Sequence, residues 1–197
     1  MNYLHAFFIA LFVFLAFFLY QTGKGERHWS VRKISRLGLY TAMAIALGIA
    51  ESLIPDFLLP GMKIGLPNIV ILILLYTDGF GAAFFVNLFR VFIVSLLRGN
   101  IFSMGGWMSL AGAFASLLGM GLTHFLLRRA SPIGISLVGS FLHVSAQILV
   151  AWFYVENAAI VAYLPFMLLL AIGSGLLVGI IADRIMALEK RRTSTRS

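Results

Sequence analysis

Apolar positions in this chain fall in long continuous runs, neither alternating nor confined to one-sided stripes. Seven runs can be read: Leu4–Tyr20, Leu37–Ile54, Leu66–Thr77, Phe80–Leu97, Ile101–Leu127, Ile133–Val155 and Ile160–Ala182. Most approach or exceed the roughly 20 residues that a helix needs to cross a bilayer. A closed barrel would require alternating strands, so the runs predict helices. They are separated by a Pro-containing loop over Pro55–Pro67 and by the turn signal Asp78-Gly79, among other breaks. The expected fold class is an all-α integral membrane protein. It divides into an N-terminal transmembrane anchor over 1–22, a basic linker over 23–36, a six-helix membrane domain over 37–183 and a basic tail over 184–197.

Composition strengthens this picture. Of the 197 residues, 61% are hydrophobic and 11% charged, against about 25% charged in a soluble domain. Mean hydropathy is +1.00. No room is left for a soluble catalytic domain beside the spans. The absence of cysteine removes disulfides, thiolate metal sites and cysteine nucleophiles. The net charge of +8 would point to nucleic acid in a soluble protein. Here the basic residues flank apolar runs, so they read as topology signals and no nucleic-acid partner is expected.

Those signals orient the chain. Lys24, Arg27, Arg32, Lys33 and Arg36, then Arg128 and Arg129, then Arg184, Lys190, Arg191, Arg192 and Arg196 fall on one side if seven runs cross. Only Lys63 and Arg98 fall on the other. A split of twelve against two puts the C-terminus in the cytoplasm and the N-terminus outside. Leu4–Tyr20 has the length of a signal sequence. Its start is not basic and no small-x-small site follows Tyr20, so it is expected to stay as an anchor.

Small residues recur at helical spacing. Gly38, Ala42, Ala46 and Ala50 form one ridge, and Ala171, Gly175 and Gly179 another. Ala115 with Gly119, and Gly112 with Ser116, make shorter pairs. Such ridges let helices approach closely. For the first ridge two uses are open: packing inside the bundle, or docking of a separate membrane subunit.

Polar residues inside the spans carry the candidate chemistry, because charge within a bilayer is costly and usually functional. Arg90 lies near the middle of the fourth run. Asn87, Arg90 and Arg98 share an arc of about 80° on a helix. Ser136, Ser140, His143, Gln147 and Tyr154 form a matching stripe on the sixth run. Together with Lys63 and Asn68 they predict a polar cavity open to the outside, with Lys63, Asn68, Asn87, Arg90, Arg98, His143 and Gln147 as ligand-binding residues. Its cations are expected to outweigh its acids, since Glu51 and Asp56 sit near the outer end of the second run. An anionic ligand fits that balance. Structural pairing of Arg90 with Glu51, and helix-to-helix bonding by His143 and Gln147, are the alternatives. His5, His28 and His124 stand alone and are assigned no role.

Several chemistries have no residues to support them. There is no P-loop, HExxH or GxSxG motif, and no close carboxylate cluster for a metal ion. Asp56, Asp78 and Asp183 are isolated. No catalytic residue, metal site or cofactor is expected, and a binding or transport subunit fits better than an enzyme.

The stretches PGMKIGLPNIVILILLY (Pro60 to Tyr76) and NLFRVFIVSLLRGNIFS (Asn87 to Ser103), with the SxxHxxxQ of Ser140, His143 and Gln147, resemble the Gx transporter family. That family is also called heptaprenyl diphosphate synthase component I. The resemblance runs from about Lys33 to Arg184 and leaves out the Leu4–Tyr20 run. It implies kinship with the substrate-binding S components of energy-coupling factor transporters. Those are six-helix bundles of the bacterial plasma membrane that bind a small ligand from outside. They dock on a transmembrane coupling subunit driven by cytoplasmic ATPases. The matching docking residues here would be Ala42, Ala46 and Ala50, and the loop over Pro55–Pro67 would gate the site. The synthase name implies an aspartate-rich Mg²⁺ motif that this sequence lacks. The same resemblance keeps a second role open. In it the protein is a membrane accessory of isoprenoid or menaquinone metabolism, or of flavin- and quinone-linked electron transfer, that binds a prenyl diphosphate or a quinone.

Overall fold

A computed structural model describes residues 30–53, 65–127 and 129–194. Six α-helices and one 3₁₀ turn account for most of them, and no strand occurs among the described residues. The helices are α1 (Val31–Ser52), α2 (Pro67–Thr77), α3 (Phe80–Leu97), α4 (Met104–Leu126), α5 (Pro132–Val155) and α6 (Leu164–Ser194), with the 3₁₀ turn Ala158–Tyr163 before α6. The protein is an all-α membrane protein, as the apolar runs predict. The Leu4–Tyr20 run, Asp56 and Lys63 lie outside the described residues. The described residues from Leu37 onward form one compact unit.

Among the described residues, five helices are long and apolar enough to cross a membrane: α1, α3, α4, α5 and the segment Ala159–Arg191 containing α6. The sixth, α2, has 11 residues, about 16 Å of helix and half a hydrocarbon core. Every residue from Pro67 to Leu75 is buried. A helix that is apolar all round belongs in an interior, because it has no face to give to water. At its far end the Tyr76 hydroxyl donates to the Ala130 carbonyl at 3.0 Å, and its ring meets His124 edge-on at 4.6 Å.

Local chemistry sets the boundaries. Ser103 and Ser131 cap α4 and α5 by accepting from Gly106 N and Gly134 N. Pro132 takes the first turn of α5, where no amide donor is needed. Gly79 joins α2 to α3 at φ +86°, a conformation that side chains disfavour. Two ends differ from expectation. Ser30 accepts from Lys33 N at 3.3 Å, so α1 starts at Val31 inside the basic linker rather than at Leu37. The tail expected from Asp183 is helical through Ser194. Its stretch Met186-Ala187-Leu188-Glu189-Lys190 is made of strong helix formers.

The α4–α5 and α5–α6 contacts rest on missing side chains. A β-carbon at Gly119 would overlap Leu142, and one at Gly139 would overlap Met120. One at Gly179 would stand 2.6 Å from the backbone of Ile133. Apolar clusters fill the space between. Met108 and Ala111 pack with Val150 and Ala151, and Val144 and Ile148 pack with Met167 and Ala171.

Candidate functional site

Helix α3 is built inside out relative to a helix in water. Phe85, Phe89, Phe92 and Leu96 are exposed, on the face opposite Asn87 and Arg90, which are buried. In lipid that arrangement is the stable one, because the polar side chains can be satisfied only inside the bundle.

Arg90 is 9% exposed. Its Nη2 donates to Asn87 Oδ1 at 2.7 Å, and Asn87 Nδ2 donates to the Ala113 carbonyl of α4 at 3.0 Å. This relay fixes the guanidinium against a rigid helix. Arg90 Nε is buried and makes no hydrogen bond. A guanidinium carries five N–H donors in a planar fork, and a buried polar group left unmatched is costly.

Arg90 faces a cavity of about 520 Å³, counting its open mouth. Asn68, Arg98 and His143 line it too, together with Gly48, Glu51, Gly65, Val91, Val94, Ser95, Asn100 and Ser109. Four of the seven residues expected to bind ligand therefore meet in one place. Asn87 stands behind Arg90 as its brace. Gln147 is buried one turn beyond His143 and is not part of the lining. Both His143 and Gln147 lie against Gly112, where a β-carbon would come within 2.9 Å of His143 Cε1 and 3.0 Å of Gln147 Cγ. Ser136 and Ser140 of the same stripe pack against Gly179 and Gly175 of α6 instead.

One expectation needs correcting. Glu51 is not peripheral: it is 7% exposed and lines the cavity with Arg90. It accepts a hydrogen bond from Gly65 N. Gly65 has φ +80°, and a β-carbon there would sit 3.2 Å from Asn68 Nδ2. Glu51 thus ties the end of α1 to the residue that leads into α2. Asn100 was not anticipated either. The 98–103 turn folds back over α4, close enough that a β-carbon at Gly106 would overlap the Asn100 carbonyl. Among the described residues no group of three or more His, Cys, Asp or Glu side chains could hold a metal ion.

The first small-residue ridge points away from this site. Gly38, Ala42, Ala46 and Ala50 are exposed, while Leu37, Ala44, Gly48 and Glu51 are the buried face of α1.

The family model described as heptaprenyl diphosphate synthase component I matches residues 40–185. The chain belongs to this family. It is the Gx transporter family that the sequence resembles, and the match takes in all six helices, α1 and α6 in part. Among curated proteins and among solved structures, nothing matches. The heptaprenyl diphosphate synthase component I family is named for a synthase component, whereas this member is a multi-pass membrane protein.

Proposed function

We propose that this protein is a substrate-capture subunit of a membrane transporter. It takes a small ligand with an anionic oxygen group at Arg90 and works with a separate transmembrane coupling subunit and its ATPases. The observation that carries the reading is Arg90 itself. It is a buried mid-helix guanidinium, braced by Asn87 and facing a cavity, with its Nε–H unmatched. Bidentate recognition of a carboxylate or phosphate is what that group does best. The cavity lining mixes charged and polar side chains with apolar surface, and its mouth is open.

The exposed ridge of α1 supports the partner half of the reading. Alanines at positions 42, 46 and 50 offer a smooth, close-approach surface to a helix of another chain. In this reading the protein is not an enzyme. It sits in a bacterial plasma membrane with the cavity open outward, the N-terminus outside and the C-terminus in the cytoplasm. The family's description favours one rival, an accessory that binds a prenyl diphosphate or quinone for isoprenoid, menaquinone or electron-transfer chemistry. In that case the diphosphate or quinone oxygens would meet Arg90 and the tail would lie in the bilayer.

Native mass spectrometry of protein purified in mild detergent from its own host tests both. Wild type is expected to carry a small polar mass, a coupling subunit and ATPases. Arg90→Ala should lose the small mass alone, and Ala46→Leu the protein partners alone. A prenyl or quinone adduct without ATPases would move the assignment to the accessory role. A bare chain in all three would overturn both readings.

A further inference from the structure

We infer that the ligand held at Arg90 is amphoteric: it pairs an anionic oxygen group with a positively charged or N–H donor group that meets Glu51. The inference rests on the cavity being a ligand site, as proposed above.

Two opposite charges line the same cavity and are both more than nine-tenths buried. Left to themselves in a medium of low polarity they would close into an ion pair. Among the described residues they do not, and each is held by a brace of its own. Glu51 accepts from the backbone amide of Gly65, at the far side of the loop that follows α1. Arg90 donates to Asn87, which is anchored on α4. One carboxylate oxygen of Glu51 is thereby committed to the loop end. Arg90 in turn keeps its Nε–H unmatched.

A further acceptor faces the same cavity. Asn100 Oδ1 is a buried acceptor with no hydrogen bond, and it lines the cavity with Arg90. The site thus presents an unmatched acceptor and an unmatched donor together. A simple anion such as phosphate would satisfy the guanidinium and press its oxygens towards the Glu51 carboxylate. A simple cation would do the reverse. A zwitterion bridges the two, with its anionic end on Arg90 and its donor end on Glu51, and removes the cost of both buried charges at once.

The test uses the full-length protein in mild detergent. The probes are acetate, methylammonium and the amino acid series glycine, β-alanine and γ-aminobutyrate. Binding is read by saturation-transfer NMR, and dissociation constants come from titration. At least one amino acid is expected to bind wild type tenfold or more tightly than acetate, about what one charge-assisted hydrogen bond supplies. Glu51→Gln keeps an acceptor for Gly65 N but removes the charge, and should bring that amino acid down to the level of acetate. Arg90→Gln should abolish binding of both. If Glu51→Gln does not fold, Glu51→Asp takes its place. It retracts the charge by one methylene and should shift preference to the next longer amino acid. Acetate binding as tightly as every amino acid, with no effect of either change at Glu51, would overturn the inference and leave the cavity a plain anion site. Saturable binding by none of the probes would overturn both the inference and the site.

Discussion

At the scale of single residues, Arg90 depends on Asn87. The amide both accepts from the guanidinium and donates to the Ala113 carbonyl, so it links a buried charge to the backbone of the neighbouring helix. Asn87→Leu keeps the volume and removes both bonds. It should lower stability by about 1–3 kcal/mol, the cost of leaving a buried polar group unmatched, and should weaken ligand binding as the guanidinium loses its fixed position. Thermal unfolding in detergent, with and without the co-purified ligand, separates the two effects. Arg90, Asn87 and His143 were legible in the sequence because each interrupts an apolar run, and an interruption inside a membrane needs a reason. Glu51 was undervalued because it stands at a helix end, where a carboxylate is cheap. Only its bond to Gly65, 14 residues on, shows that the end is folded inward. Ser95, Asn100 and Ser109 are ordinary residues of a span or a turn. Nothing in their spacing marks them; Ser95 joins the cavity from α3 beside Arg90, and Asn100 and Ser109 join it where the 98–103 turn doubles back onto α4.

At the scale of helices, one sequence device serves two purposes. Small residues at intervals of four occur on α1, α4 and α6, and the spacing alone cannot say which ridges face inward. The surrounding volume can. Gly179 has the Ile133 backbone 2.6 Å from where a β-carbon would be, whereas Gly38 has nothing within 4 Å. Gly179→Val should therefore force α5 and α6 apart, at a cost of about 1–3 kcal/mol or more. Gly38→Ala should raise stability by about 0.5–1 kcal/mol, since alanine restricts the unfolded chain and favours the helix. Melting temperatures in the same detergent should move in opposite directions. Helix type and order were readable from hydropathy because a membrane span leaves few alternatives. Helix ends were not readable at Val31 or Ser194. There hydropathy falls while capping by Ser30 and intrinsic propensity in the tail continue the helix.

At the scale of the molecule, the helix that is too short to span, α2, packs against α3, α4 and α6. The buried α2 begins at the cavity with Asn68 and ends near the Ala130 carbonyl with Tyr76. The cavity therefore lies towards one end of the bundle, with Arg90 seven residues before the end of α3 at Leu97. That is about 10 Å along the helix axis, or roughly a third of the hydrocarbon thickness.

This depth has an electrical consequence. A charge brought from water to Arg90 crosses part of the voltage that falls across the bilayer. A full crossing is worth about 2.3 kcal/mol per 100 mV, so a third of it is worth about 0.8 kcal/mol, close to a fourfold change in affinity. A singly charged anion would bind about fourfold more or less tightly when proteoliposomes are polarised by about 100 mV with a potassium gradient and valinomycin. A zwitterion carries no net charge through the field and should bind equally at either voltage. If the protein is the capture subunit proposed above, taking up such a ligand would not draw on the membrane potential, and only the later step of release to the other side would need an energy source.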